Sequence, residues 1–185
     1  MKGKEKVVVA FKDFTTTGVV LQDFASLKNT IIDSVHNGYG TELDDIMHTI
    51  DEQQAVAPDE LRKWFWDVFI VDAFIGNWDR HNGNWGFLYN VDKDEMELAP
   101  IHDCGSCLYP QANEEIMEAI LSDKKQKDVR VFSIPLPGIK VNGQKINFFD
   151  FISSLQNKDC NAALKRIVLS LVLLLYQIQL SGLFL

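Results

Sequence analysis

The stretch that decides how this chain folds is DRHNGN, residues 79–84. It is polar and contains Asn and Gly, two residue types that favour turns and loops. Before it, apolar residues recur at helical spacing from Leu61 to Ile75, behind the start signal Pro58-Asp59-Glu60. This spacing predicts a helix with one buried face that ends at Gly76-Asn77, so residues 79–84 form the loop that leaves it.

A β-hairpin is predicted directly after this loop. Residues 85–91 are strand-like, Asp92-Lys93-Asp94 predicts a turn, and residues 96–99 form a second strand that Pro100 closes. Beyond it lies a D-x-G turn, Asp103-Cys104-Gly105. Because the outer ends of two paired strands meet at one end of a hairpin, we expect the loop and the turn to lie side by side.

The residue types in these two segments suit phosphoryl transfer. Asp79 precedes Asn84 by five residues, as in a catalytic loop of protein-kinase type, where the Asp orients the attacking hydroxyl and the Asn binds metal. Asp103 would be the second metal ligand, since Mg²⁺ binds through one or two carboxylates together with substrate phosphates. On the pattern alone, a second interpretation stays open, in which Asp79 and Asn84 only satisfy backbone groups of a turn.

The rest of the chain shows mixed helical and β-type patterns. A β-type run over residues 7–11 precedes a turn at residues 15–18, and residues 130–141 are irregular or β-like. The basic stretch at residues 124–127 is interpreted as a solvated loop. Further helices are predicted from Asp23 or Ser26 to about Asn37, from Thr41 through Ile50, from Asn113 to Leu121, from Ile146 to Leu155, and from Asn161 onward.

The segment DAFIGNWDRHNGN, residues 72–84, resembles the catalytic loop of HipA-like serine/threonine kinases, in which an Asp-x-His-x-x-Asn run follows an apolar helix. LAPIHD, residues 98–103, is similar to the metal-binding segment of that family. The Asp-Arg-His-x-x-Asn run also resembles that of phosphatidylinositol kinases, and the L-A-P segment favours the HipA side. The resemblance is strong from about Pro58 to Tyr109, and residues 7–14 resemble the strand and hinge that contact adenine.

This resemblance implies a predominantly helical α+β fold, a protein-kinase-like C-terminal lobe with a small β-hairpin at the active site. Residues 1–185 would form one such lobe, with residues 1–22 as hinge strand and turn, residues 23–185 as the helical part, and the N-terminal lobe absent. Mg²⁺ and ATP are the implied cofactors. The implied site residues are Asp79 and His81 for catalysis (His81 equally as a loop-ordering residue), Asn84 and Asp103 for the metal, and Phe11, Lys12 and Phe14 for ATP.

Two parts of a complete kinase are not found in the sequence. No G-x-G-x-x-G loop is present to cover the phosphates, and Lys12 in VAFK only imitates the strand lysine, because eleven residues before it cannot supply that loop and its strands. We therefore expect a phosphotransferase lobe with little or no activity by itself. The alternative is a non-catalytic, pseudokinase-like binding module. Expected partners are a protein with a Ser or Thr to phosphorylate, and a separate N-terminal lobe or antitoxin-type protein.

Composition and charge argue against several other functions, namely nucleic-acid binding, zinc binding and membrane insertion. The net charge of −8 argues against direct nucleic-acid binding, since phosphate contacts need clustered Lys and Arg. Cys104 and Cys107 have the C-x-x-C spacing of zinc and redox sites. No second Cys or His pair completes a zinc site, and the pair does not stand at a helix start after a strand, as in a thioredoxin-like redox unit, so we expect incidental thiols in a reducing cytoplasm. Residues 167–185 carry no formal charge and are long enough to span a bilayer, yet their Gln, Ser and Gly residues favour a buried core helix over a membrane tail.

Overall fold

The computed structural model of the protein describes residues 13–32 and 36–181, without the side chains of 176 and 179–181. The predicted β-type run 7–11 and two expected adenine-site residues, Phe11 and Lys12, lie outside the described residues. In chain order, the elements are β1 (Val19–Asp23), α1 (Phe24–Ile31), α2 (Leu43–Glu52), α3 (Pro58–Ile75), β2 (Gly86–Asn90), β3 (Glu95–Leu98), α4 (Glu114–Ser122), α5 (Lys124–Phe132), β4 (Lys140–Val141), β5 (Gln144–Lys145), α6 (Phe148–Ser153) and α7 (Lys158–Ser181).

The helix before the polar loop is the centre of the fold. It begins at Pro58 and ends where Gly76 takes the left-handed conformation (φ 66°), as its start and stop signals predict. Its buried aromatic residues pack against Phe24 of α1 and Trp85 of the hairpin, whose rings stack with centroids 3.9 Å apart. Burial of each large apolar side chain in such a core stabilises the fold by about 1.5–3 kcal/mol. This cluster therefore fixes the position of the C-terminal end of α3, where the loop begins.

The predicted hairpin is present, but it is part of a larger sheet. β2 and β3 pair in antiparallel register, and β1 adds a third strand on the other side of β2. The sequence analysis gave residues 19–22 no element, so the sheet has one more strand than expected. Close approach of β1 depends on Gly86, because a Cβ there would lie 2.1 Å from the carbonyl oxygen of Gln22.

The prediction of a solvated loop at residues 124–127 is wrong. The expected solvated loop is instead helix α5, and the irregular segment begins after it. Asp123 caps the helix by accepting a hydrogen bond from the backbone N–H of Lys125. A further i,i+4 pair, Lys124 with Asp128, stabilises the first turn.

The closing helix α7 agrees only in part with the predicted buried helix. Its first half packs on α3, with Cys160 and Ala163 fully buried and Arg166 paired to Asp67 at 2.8 Å. The expectation of burial is wrong further along, because the apolar side chains of residues 168, 169 and 172–175 are 50–63% exposed. Among the residues that the structure describes, no helix is both long and apolar enough to cross a membrane.

Candidate functional site

The polar loop, residues 77–84, is folded tightly against the end of α3. The Asn77 amide donates to the Asp72 carboxylate at 2.9 Å, and its backbone N–H donates to the Asp72 carbonyl at 2.8 Å. At the other end of the loop, the Asn84 amide nitrogen donates to the backbone carbonyl of Asp79 at 2.9 Å. This bond leaves the amide oxygen of Asn84 available as a metal ligand.

Arg80 is the buried charge at the centre of the loop. Only 9% of the residue is exposed, and its Nε and Nη2 donate to the two carboxylate oxygens of Asp72 at 2.8 and 3.0 Å. Burial opposes the charged guanidinium, but the hydrogen bonds and attraction of Asp72 outweigh it and raise the pKa of Arg80. The guanidinium therefore keeps its charge, and it meets the carboxylate with the two-pronged geometry that gives strong Arg–carboxylate bonds.

The same guanidinium joins the loop to the segment beyond the hairpin. Its Nη1 donates to the carbonyl of Asn84 at 2.8 Å and to the carbonyl of His102 at 2.6 Å. Because one nitrogen serves both oxygens, the loop and the D-x-G segment are close neighbours, as the hairpin predicts. Arg80 thus fixes the positions of the residues on either side of the expected metal site.

Asp79 and Asp103 are both exposed at this junction. Asp103 adopts the left-handed conformation with φ 53°, a region that few residues other than Gly, Asn and Asp enter. The hydroxyl of Ser106, in the same turn, donates to the carboxylate of Asp79 at 3.5 Å. The two carboxylates expected to share the chemistry therefore lie on neighbouring loops with their oxygens accessible.

The histidine of the loop, His81, is exposed and lies beside Tyr39, with ring centroids 6.1 Å apart. Its Nδ1 accepts a hydrogen bond from the backbone N–H of Gly83 at 3.1 Å. This hydrogen bond stays within the loop, as expected for a residue that orders the loop.

Asn82 connects the loop to the segment before α2. It is buried, and its amide nitrogen donates to the carbonyls of Gly38 and Gly40, both at 2.8 Å.

Of the residues expected to contact adenine, Phe14 alone lies in the described part of the chain. It is half-buried, and its ring lies 5.6 Å from that of His102, measured between centroids. Since His102 precedes Asp103, this contact brings the N-terminal segment beside the D-x-G turn. Phe14 is thus one residue removed from a direct contact with Asp103.

The donor set fits a magnesium ion held together with phosphates. Mg²⁺ needs oxygen ligands and usually takes only one or two carboxylates from the protein. Asp103 offers one carboxylate, and Asn84, whose amide nitrogen bonds to the carbonyl of Asp79, adds an amide oxygen. Within the described ranges, no cluster of three or more His, Cys, Asp or Glu residues could hold a metal, so the site offers no complete cage made of protein side chains.

The turn after Asp103 carries two free thiols. Cys104 is exposed, and its sulfur accepts from Nη2 of Arg80 at 3.5 Å. Cys107 is half-buried, and burial, with smaller contributions from Cys104 and Asp72, raises the pKa of its thiol to about 11. The two cysteines expected to be incidental therefore lie inside the candidate site.

Comparison with known proteins gives this site a family. Residues 6–172 match the model of the HipA-like C-terminal domain. The chain belongs to that family. This HipA-like domain is 47% identical over 165 residues to the serine/threonine-protein kinase CtkA of Helicobacter pylori, covering 89% of this chain and 51% of that protein.

A solved structure agrees with the sequence comparison. The crystal structure of the Helicobacter pylori proinflammatory kinase CtkA superposes with a TM-score of 0.80 and 46% identity, over 84% of this chain and 57% of that one. The expected relationship to HipA-like kinases is confirmed, and so is a fold that mixes helices with small sheets. The HipA-like domain described here spans about half the length of the curated relative it matches.

Several residues that shape the site were not singled out from the sequence. They are Asp72, Asn77, Arg80, Asn82 and Ser106. The sequence did contain a signal for Asp72 and Arg80. A carboxylate on the apolar face of a helix needs a partner, and an Arg follows Asp72 eight residues later. Nothing in the local pattern pointed to Asn82, whose partners lie more than forty residues away in the chain.

Proposed function

We propose that this HipA-like domain is the catalytic lobe of a kinase that holds Mg²⁺ and ATP and transfers a phosphoryl group to a Ser or Thr hydroxyl of a protein, with little or no activity as a lobe by itself. The observation that carries the proposal is the double hydrogen bond from Arg80 to the carbonyls of Asn84 and His102. It supports a single site built from the catalytic loop and the D-x-G turn. The family and the similarity to a serine/threonine-protein kinase support the same class of reaction.

Asp79 is the group we assign to the substrate hydroxyl. Its carboxylate is exposed, and its single side-chain hydrogen bond within the described residues, from Ser106, is long at 3.5 Å. An incoming Ser or Thr hydroxyl could replace that contact and hydrogen-bond to the carboxylate. Asp79 would then orient the hydroxyl and accept its proton as the oxygen attacks.

Asn84 and Asp103 are the residues we assign to the metal. When bound, Mg²⁺ would neutralise charge on the transferring phosphoryl group. Asn84 would offer its amide oxygen, which its own hydrogen bond to Asp79 orients. Asp103 would offer a carboxylate whose position is set by the neighbouring carbonyl of His102, since Arg80 holds that carbonyl.

The N-terminal segment is assigned to the adenine side of the site. Phe14 supports this assignment because its ring lies against His102. Phe11 and Lys12 would offer backbone groups to the base. We further propose that residues 1–185 act as one kinase C-terminal lobe in the cytoplasm, with residues 1–22 on its hinge side.

Calorimetric titration of the protein with ATP, with and without Mg²⁺, tests the proposal. Asp103→Asn keeps the side-chain shape and removes the charge, so we expect Mg²⁺-dependent binding to be lost. Asp94→Asn is the matched control, because Asp94 is also an exposed aspartate with positive φ (54°), but lies in the β2–β3 turn. Equal binding by the wild-type protein and Asp103→Asn would contradict the metal assignment, and no binding by the wild-type protein would contradict the function.

A second variant separates binding from chemistry. Asp79→Asn should keep Mg²⁺-dependent ATP binding, because Asp79 is assigned to the hydroxyl and not to the metal. Phosphate transfer to a Ser/Thr protein substrate, already slow for the lobe by itself, should fall further by about 10²–10⁴-fold, the usual contribution of a general base. Transfer at the wild-type rate would remove Asp79 from the catalytic role.

A further inference from the structure

The turn after Asp103 has a geometry that phosphoryl transfer does not require. The backbone N–H of Cys107 donates to the carbonyl of Cys104 at 3.2 Å, which closes a four-residue turn with a cysteine at each end. A turn of this kind holds its end Cα atoms within about 7 Å. Disulfides span Cα separations of about 4.4–6.8 Å, so the backbone already satisfies the main requirement for a bond between the two sulfurs.

Proximity of the two thiols and access for an oxidant also favour the bond. Cys104 lies close enough to influence the Cys107 thiol, and its exposure makes it accessible to a dissolved oxidant. Between them, Gly105 has no atom within 4 Å of the position that a Cβ would occupy, so the turn has room to adjust. The third cysteine, Cys160, is buried in α7 and is not available as a competing partner.

A zinc site is the usual alternative for two cysteines at this spacing, and it finds no support. His102 is the nearest histidine in the chain, but its Nδ1 lies 3.1 Å from the carbonyl of Pro100 and is engaged there. Within residues 13–32 and 36–181, no group of three or more His, Cys, Asp or Glu residues could hold a metal ion. The pair is therefore better suited to bonding with itself than to holding an ion.

We propose that Cys104 and Cys107 form a reversible intramolecular disulfide when the protein meets a peroxide. The Cys104 thiol first reacts with hydrogen peroxide to give a sulfenic acid and one water. The Cys107 sulfur then attacks the sulfenic sulfur, the S–S bond forms, and a second water leaves with the Cys107 proton. Overall, two thiols lose two electrons and two protons, and one peroxide becomes two waters.

The disulfide would act on the candidate site through two contacts. The sulfur of Cys104 accepts a hydrogen bond from Arg80, and Ser106, enclosed by the two cysteines, contacts Asp79. Joining the sulfurs turns Cys104 toward Cys107 and restrains Ser106, so both contacts must change. Only this consequence rests on the proposed function, since the disulfide itself requires nothing but the turn.

Intact-mass analysis after equimolar hydrogen peroxide tests the disulfide. We expect the wild-type protein and Cys160→Ser to lose the mass of two hydrogen atoms, to resist alkylation at Cys104 and Cys107, and to regain the thiols with dithiothreitol. Cys104→Ser and Cys107→Ser should show no such loss. Addition of oxygen atoms without loss of hydrogen, or a disulfide that survives in either of these variants, would overturn the proposal.

Titration with Mg²⁺ and ATP on the same reduced and oxidised samples tests the consequence. We expect oxidation to weaken binding by about tenfold, comparable to losing one hydrogen bond to a charged group. A Cys104→Ser/Cys107→Ser protein should not respond to peroxide. Equal binding before and after oxidation would overturn the coupling, whereas no binding by the reduced protein would overturn the proposed function and leave the mass result standing.

Discussion

The loop at residues 77–84 and the second half of α7 use opposite means to hold their shape. The loop is polar, yet Asn77, Arg80, Asn82 and Asn84 are all buried. The first three hydrogen-bond to other segments, and Asn84 hydrogen-bonds to the carbonyl of Asp79 within the loop. The helix is apolar over residues 167–175 except for Ser170, yet the side chains of residues 168, 169 and 172–175 are at least half exposed. Burial in this protein therefore does not follow hydropathy in either region.

The difference shows where structural precision is concentrated. A buried polar group is costly unless it is paired, so each side chain of the loop network restricts the position of its partner. Exposed apolar side chains impose no such restriction, because they make few contacts that depend on direction. Substitutions should consequently have large effects in the loop and small ones in the second half of α7.

The largest effect is expected at Arg80. Arg80→Met leaves the Asp72 carboxylate buried without its charged partner, which typically costs about 3–5 kcal/mol. Urea unfolding followed by tryptophan fluorescence would measure the loss. The double variant Asp72→Leu/Arg80→Met removes both charges and should recover part of the stability, as replaced buried pairs often do. A single variant as stable as the wild-type protein would show that the pair does not hold the loop.

A smaller loss is expected at Asn82. Asn82→Ala removes two hydrogen bonds and leaves the carbonyls of Gly38 and Gly40 without their donor, which should cost on the order of 2 kcal/mol. Hydrogen exchange would show faster opening of residues 38–40. Asn157→Ala is a useful comparison, because the Asn157 side chain only accepts one hydrogen bond, at the start of α7. Equal losses in the two variants would remove the special role of Asn82.

The smallest effect is expected on α7. Leu169→Gln and Leu175→Gln change side chains that are 60% and 63% exposed, so the free energy of unfolding should change by no more than about 0.5 kcal/mol. The same substitution at Leu61, which is fully buried in α3, should cost several times more. A loss at Leu169 as large as that at Leu61 would mean that this face is covered in solution.

Local signals were enough to predict the centre of the fold. The stripe of apolar residues, the proline at its start and the glycine at its end give α3 its observed bounds. Strand-like residues on both sides of a polar turn predicted the β2–β3 hairpin within about one residue at each end, the usual precision of such boundaries. The loop and the D-x-G turn then followed, because a hairpin connects them.

The elements that the sequence analysis did not predict correctly, β1, α5 and the exposed half of α7, have physical reasons for being hard to predict. β1 pairs with residues about seventy positions later, and its pattern of exposed side chains gives no alternation to detect. α5 depends on an Asx cap and an ion pair, while its high charge resembles that of a loop. The C-terminal half of α7 is apolar without being buried, and only the positions of the other helices determine that.

Prediction of the site was limited in the same way. The motif indicated Asp79, Asn84 and Asp103, and their assignment as catalytic and metal residues stays a prediction. The residues that position them were harder to find, because Arg80 acts through backbone carbonyls of Asn84 and His102. A sequence motif records which side chains are present, but it does not record which backbone oxygens they hold.

The hydrogen bonds of Arg80 to two carbonyls also bear on the kinetics of ligand capture. Separating the two loops would break the hydrogen bond from the buried Arg80 guanidinium to the carbonyl of His102, so we expect the loops to move as one body. A ligand that enters between them meets a receptor that is already ordered, and little conformational entropy is lost on binding. Its association rate should then depend on diffusion and on the ionic strength that screens the negative chain, with no slow step for loop ordering.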